Sequence, residues 1–325
     1  IWSKYRERLE DVVLRHPKLF PSFQRGTVKF DEFGNRRKGN ILVDPWDCVW
    51  SFEADGLQGQ VVKHPLENWN SMKDYKLPNP DHGIVQEGGR EMTSWESIEH
   101  SVDDARRNGM AVGISLGHGF FYLRLTYIRG FVNLMRDIAT DSPELHRLIE
   151  MMTEYYLQII ERILTFRPDI VYFGDDLGMQ DRMPMSETKF REFIYPSYRK
   201  FFRRLRDSGV RVHLHTDGHV MEVTDSLLEA GVSILNVQDL VNGLDNIVMN
   251  LKGRVCVDLD IDRQRILPYG TREMIFNHIR DIVLKLGSKE GGLMLTSGIY
   301  PHVPLGNIDA LCEALEFYMN YYEAR

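Results

Sequence analysis

From about residue 110 onward, short apolar runs alternate with longer stretches whose apolar positions recur every three to four residues. The short runs are Val112–Leu116, Ile170–Gly174, Val210–His215, Ser233–Gln238, Arg254–Asp260 and Leu293–Ser297, and their length is that of strands. The longer ones are Pro143–Phe166, Glu187–Asp207, Val220–Ala230, Arg272–Leu286 and Asn307–Tyr322, which carry the helical period. Such alternation predicts parallel strands joined by crossover helices. The punctuation agrees. Asp141-Ser142-Pro143-Glu144 supplies an N-cap, a first-turn proline and an acid for the helix dipole. Gly209 and Gly231 stand where helices end.

Six βα units are legible in this way, and residues 40–110 are expected to supply two further strands. The fold predicted is α/β, a (β/α)8 TIM barrel forming a single domain over 1–325, with an irregular lid or insertion within 1–110. The Trp-, Pro- and Gly-rich segment from Asp44 to Asp81 is the lid candidate, with a hairpin at Asp55-Gly56 and a turn near Pro78. No internal repeat is present.

Side chains alternate across a strand with period two, so a barrel strand turns one set toward helices and the other inward. In Arg211–His215, Val212 and Leu214 share the apolar face, which leaves His213 and His215 on the other. By the same count Asn236 and Gln238 face away from Leu235 and Val237, and Asp258 and Asp260 face away from Val257 and Leu259. Burying unpaired polar groups costs several kcal/mol or more, so polar side chains aimed inward from three successive strands point to a ligand site. At other strand ends stand His118, Asp175-Asp176, Asp217 with His219, and Ser297 with His302. Each has a plainer alternative: a lone inward histidine can be a satisfied core residue, and paired acids can be helix caps.

Composition narrows the classes. A net charge of −7 over 325 residues argues against nucleic acid as a main partner. Three separated cysteines fit free thiols in a reducing, cytoplasmic setting. No apolar run is long enough for a membrane span. No Walker loop occurs, and Gly117-His118-Gly119 is too short for a dinucleotide fingerprint.

Taken as a set, several segments resemble the uroporphyrinogen decarboxylase superfamily. They are the run Tyr127–Met135 (YIRGFVNLM), the FGDD end of the second clear strand, FREFIYPSYRK and the LHTDG turn. HPLENW followed by LPNPD, and the ending GGLMLTSGIYPHVPLGNIDAL, complete the set. The resemblance covers most of the chain in order. It implies one of two chemistries: cofactor-free decarboxylation, or methyl transfer between small molecules, corrinoid proteins and thiols, usually with zinc. The thiol-methylating branch holds zinc by a His-x-Cys-Gly motif and a later cysteine. Here that motif reads His215-Thr216-Asp217-Gly218, and the later position holds Ile299, so thiolate ligation is not available.

Ether-cleaving members use a Glu/Glu/His zinc site, and Asp176, Glu192 and His213 or His215 resemble it in order and spacing. Glu192 has an ordinary alternative as a helix-surface ion pair. The arginine-rich N-terminal motif of the decarboxylases is not found, and the acids near the strand ends would repel their polycarboxylate substrate. The resemblance therefore implies a methyltransferase that demethylates a small compound toward a corrinoid (cobalamin) on a partner protein. His213, His215, Asp217 and Asp176 are its expected catalytic residues, and His118, Asn236, Gln238, Asp258 and Arg263 its expected substrate contacts. Zinc would sit among Asp176, Glu192, His213 and His215, and the lid tryptophans Trp46, Trp50 and Trp69 could dock the corrinoid protein. The alternatives are a decarboxylase for a smaller acid and a non-catalytic ligand-binding barrel.

Overall fold

The computed structural model describes residues 1–323, which fall into two units: residues 33–235, and residues 1–32 together with 236 onward. In the first unit the lid segment folds into antiparallel pieces. β1 (Ile41–Val43), β2 (Val49–Ser51) and β3 (Gln60–Lys63) form one small sheet, and β4 (Ile84–Val85) pairs with β5 (Met92–Thr93). Gly56, at φ 73°, serves the turn between β2 and β3 where Asp55-Gly56 predicts a hairpin. The two parallel barrel strands expected from residues 40–110 are not seen, because the short connections from β1 to β2 and from β2 to β3 allow only antiparallel pairing.

Asp44 organises the β1–β2 turn. Its buried carboxylate accepts from the backbone N–H groups of Trp46 and Cys48, from Trp50 Nε1 and from Arg124 Nη1, all at 2.9 Å. Trp46 and Trp50 are consequently core residues, 0% and 1% exposed. The expectation that they form a docking surface is corrected by that burial. Trp69 is partly covered and lies under the Arg129 guanidinium, 4.3 Å from its ring.

β6 (Gly113–His118), β7 (Ile170–Gly174) and β8 (Arg211–Thr216) are parallel neighbours. Their outward residues Ile114, Leu116, Val171, Phe173, Val212 and Leu214 are buried. The helices Pro143–Thr165 and Tyr195–Asp207 contribute Tyr156, Tyr198, Phe201 and Phe202 to an aromatic cluster around Phe120, Phe121 and Phe173. The helix expected over Glu187–Asp207 is two, Glu187–Phe193 and Tyr195–Asp207, with Ile194 at the break. Pro196 causes it: proline has no N–H to donate and opens a helix well but does not continue one.

β9 (Ile234–Gln238) spans the division between the units along the chain. In the second unit β10 (Cys256–Asp260) and β11 (Leu293–Thr296) are parallel neighbours, followed by the helix Leu305–Tyr318. The helix Arg272–Leu286 begins on Thr271, whose hydroxyl accepts from Met274 N–H at 3.2 Å. Its buried side, Ile275, Ile279, Ile282 and Leu286, is the face that the helical period marks. Buried His16 bridges two acids of the helix Leu305–Tyr318, with Nδ1 3.0 Å from Glu316 and Nε2 3.0 Å from Asp309. Among the described residues no helix is long and apolar enough to cross a membrane.

Candidate active site

Strand register assembles the site. His118 pairs with Gly174 across β6 and β7, and Gly174 pairs with His215 across β7 and β8. The two histidines therefore flank a residue with no side chain, and their rings approach to 5.5 Å between centroids. A Cβ on Gly174 would stand 2.9 Å from His118 Cδ2 and 3.2 Å from its Cα, so glycine is what admits the ring. One step beyond Gly174 the chain turns out of the strand, and Asp176 enters between the histidines. His118 Nε2 lies 3.0 Å from Asp176 Oδ1, and His215 Nε2 lies 3.6 Å from the same oxygen. Asp217 Oδ1 is 3.6 Å from His215 Nε2, and the Asp217 N–H donates to Asp176 Oδ1 at 3.1 Å.

The loops that carry these acids are locked backbone to backbone. Gly178 N–H donates to Asp217 O at 3.1 Å, and His219 N–H donates to Met179 O at 2.7 Å. A Cβ on Gly218, which sits at φ 85°, would come within 2.2 Å of Gly178 C. Thr216 Oγ1 accepts from Leu177 N–H at 3.0 Å. Asp175, adjacent to Asp176, has a different task. Its fully buried carboxylate accepts from the N–H groups of Tyr122 and Leu123, at the start of the helix Tyr122–Arg129, and from Tyr198 Oη at 2.7 Å. Burial raises its pKa to about 6 against the pull of those donors. It is a helix cap.

The electrostatics centre on His118. Burial disfavours its charge, but hydrogen bonds to Asp176 and Glu87, with their Coulombic attraction, outweigh this and raise its pKa to about 11. Both ring nitrogens then donate, Nδ1 to Glu87 Oε2 and Nε2 to Asp176 Oδ1, each at 3.0 Å. For Asp176 and Glu87, burial pushes the pKa up, but the imidazolium holds both carboxylates below their ordinary range. Glu87 and its second partner, the Tyr127 hydroxyl, were not expected from sequence. Glu87 lies in an irregular loop, 31 positions before His118, where no period announces a partner.

Two members of the expected ligand set stand elsewhere. His213 is one pleat below His215, buried, with its ring 5.0 Å from that of Tyr172. Glu192 lies on the surface of the helix Glu187–Phe193, 2.8 Å from Lys189 Nζ, in an exposed group with Asp141 and His146. The helix begins at Ser186, and that phase turns Glu192 to solvent; this corrects its expected place beside Asp176. His118, expected as a substrate contact, takes the vacated place: His118, Asp176 and His215 each offer a ligand atom within 4.8 Å of the other two.

In the second unit the expected substrate residues lie among polar neighbours. Asn236 Nδ2 donates to Asp258 O at 2.7 Å, and Gln238 and Asp258 are both buried. Arg263 Nη1 is 3.0 Å from Asp260 Oδ2, with the guanidinium over the Tyr300 ring at 5.5 Å.

The donor set suits a divalent metal. Bonds of about 2.0–2.1 Å in tetrahedral array put neighbouring ligand atoms roughly 3.3 Å apart. The 3.0 and 3.6 Å separations bracket that figure. Two imidazoles and a carboxylate leave a fourth position open, as in catalytic zinc sites. Glu87 stands on the other ring nitrogen of His118, where histidines in metal sites commonly hold a carboxylate.

No curated protein sequence matches the chain. Among solved structures, a methyltransferase from Methanosarcina mazei superposes with a TM-score of 0.59 at 16% identity, covering 86% of this chain and 78% of its own. A D-psicose 3-epimerase aligns with a TM-score of 0.41 at 9% identity, over 71% of this chain and 85% of that one. The former likeness shows the fold, the TIM barrel with antiparallel strands inserted near its start. The sequence model for uroporphyrinogen decarboxylase (URO-D) matches residues 58–318, most of the chain. This protein belongs to the uroporphyrinogen decarboxylase family.

Proposed function

We propose that the protein is a methyltransferase that takes a methyl group from a small methylated compound, an ether or amine, toward a corrinoid carried by a partner protein. The observation that carries this is the convergence of His118, Asp176 and His215 from three adjacent strand ends onto one point. The family and the methyltransferase among its fold neighbours support the same reading. A divalent metal, zinc by the chemistry of its donors, would be held by these residues, with Asp217 beside them.

When bound, the metal supplies Lewis acidity toward the heteroatom that carries the methyl group. The protein's own residues set up the rest. To bind the metal, His118 would keep its Nδ1 proton on Glu87 and release to solvent its Nε2 proton, which in the metal-free site points to Asp176. As the bond from heteroatom to methyl carbon breaks, its electron pair stays on the heteroatom, and the methyl carbon bonds to an electron pair of the acceptor. The heteroatom then takes up a proton that comes from solvent. Asp217, 3.6 Å from His215 Nε2, is the side chain placed to relay it. General acid help of this kind is worth about 10² to 10⁴ in rate.

The test is a zinc titration of the purified protein, followed by a screen of methylated ethers and amines with a corrinoid protein. The expected result is about one zinc per chain, lost in D176N and H215A, together with release of the demethylated product. A wild-type chain that binds no zinc but liberates carbon dioxide from a small acid would establish the decarboxylase reading instead.

A further inference from the structure

We infer that Glu87, with Tyr127 behind it, is a positioning residue: the loop between β4 and β5 reaches onto the site and aims His118 Nε2 at Asp176 and His215. The inference rests on the metal reading above and adds to it a task for the N-terminal insertion. The sequence marks an irregular lid or insertion within residues 1–110, and the position of Glu87 gives that region a part in the site. Its carboxylate is 8% exposed, too buried to be an incidental surface acid. Oε2 accepts a hydrogen bond from His118 Nδ1 at 3.0 Å, and Oε1 accepts from the Tyr127 hydroxyl. With the Nδ1 proton held there, Nε2 is the only ring nitrogen of His118 left to face the trio.

The strand end is shaped to receive this loop. Gly117 and Gly119 flank His118 at φ 79° and 69°, in the left-handed region that glycine occupies without steric cost. A Cβ on Gly117 would stand 3.0 Å from Gln86 Oε1. One on Gly119 would stand 2.8 Å from Tyr127 Cε2 and 3.2 Å from Glu87 Oε1. The Gly-His-Gly triplet, too short for a nucleotide motif, thus leaves room for Gln86 and Tyr127 beside the strand end and for Glu87 on the histidine. Tyr127 is itself braced, with Trp50 packing edge-on at 4.9 Å and the buried Arg124 guanidinium 5.3 Å from its ring. A carboxylate on the far nitrogen of a ligating histidine fixes ring orientation and raises ligand basicity, and its loss typically costs 10–100-fold in metal affinity.

The experiment is a Zn2+ titration of the intact chain and of E87A, E87Q, Y127F and E91Q, each first checked for folding by metal-free thermal unfolding. Glu91 is an exposed acid of the same loop, so E91Q removes the same charge without touching His118. The expected dissociation constant rises about 10–100-fold in E87A. It rises less in E87Q, whose amide oxygen still accepts from Nδ1, less again in Y127F, and not at all in E91Q. The visible spectrum of the Co2+-loaded protein, which a purely structural role would leave alone, shifts in E87A and not in E91Q. Should E87A fail to fold, E87Q and Y127F carry the same comparison. Zinc binding by the wild type, with E87A and E87Q as tight as E91Q, would overturn this inference alone. No zinc binding by the wild type would overturn the metal reading, and this inference with it.

Discussion

Gly174 does more for the site than any side chain next to it, because the register places it between two histidines that have to meet. Replacing it by alanine puts a methyl group 3.2 Å from the His118 Cα, a contact with backbone that a rotamer change cannot relieve. We expect G174A to cost about 1–3 kcal/mol in urea unfolding, the usual range for overpacking, and to weaken zinc binding as well. Gly306, which has nothing within 4 Å of its Cβ position, is the matching control. G306A should leave both quantities intact, or add slightly to stability through helix propensity. A zinc affinity in G174A equal to that of G306A would show that the rings do not depend on this gap. His215 and Asp176 were readable from sequence because strand parity and the strand end are local properties. His118 was readable as a residue near the site, but its place opposite Asp176 is a matter of register, which no single strand reveals.

Between elements, the clearest pH-sensitive contact lies in the second unit. His16, just past the helix Glu7–Arg15, bridges Asp309 and Glu316 on the helix Leu305–Tyr318, with Arg15 also on Asp309 at 2.8 Å. Burial lowers the His16 pKa, but hydrogen bonds to Asp309 and Glu316 outweigh this and raise it, while His16 and Arg15 hold Asp309 low despite its own burial. A raised histidine contributes stability that is complete below its unfolded value near 6.5 and is lost as pH rises through the folded value. A lowered aspartate contributes above its unfolded value near 3.9 and is lost as pH falls. The clasp should therefore be strongest from about pH 4 to 6.5. In H16Q the decline of thermal stability above about pH 6.5 should flatten, while the acid limb, left to Arg15 on Asp309, should shrink but remain. Parallel unfolding curves for wild type and H16Q across pH 6–9 would contradict this.

The alternating pattern after residue 110 was legible because each strand or helix states its period within its own length. Residues 40–94 were not, since β1 to β5 are two to four residues long, below the length at which alternation can be counted. Trp46 and Trp50 show the same limit. An aromatic residue in an irregular loop reads as a surface anchor until the buried Asp44 that gathers it comes into view.

At the scale of the whole molecule, a metal held by His118, Asp176 and His215, as proposed, would couple ligation to folding. Its ligand atoms come from strand ends separated by long helical crossovers, so the unfolded chain cannot offer them together. An ion that binds only the folded state stabilises it by about 2.7 kcal/mol at one hundred times its dissociation constant. Added zinc should raise the thermal midpoint of the wild type, chelation should reverse the rise, and D176N should show neither effect. An equal rise in D176N would place the ion elsewhere, with the exposed group of Asp141, His146 and Glu192 the first place to look.

The glycine-on-glycine contact between the loops after β7 and β8 has a bearing on how such a chain can be recombined. Gly178 and Gly218 meet with no room for a carbon on either, so a hybrid whose crossover falls between them takes its two loops from different parents. It would work only where both parents leave that spot bare. Breeding experiments across the family should find junctions depleted over this interval and tolerated on either side.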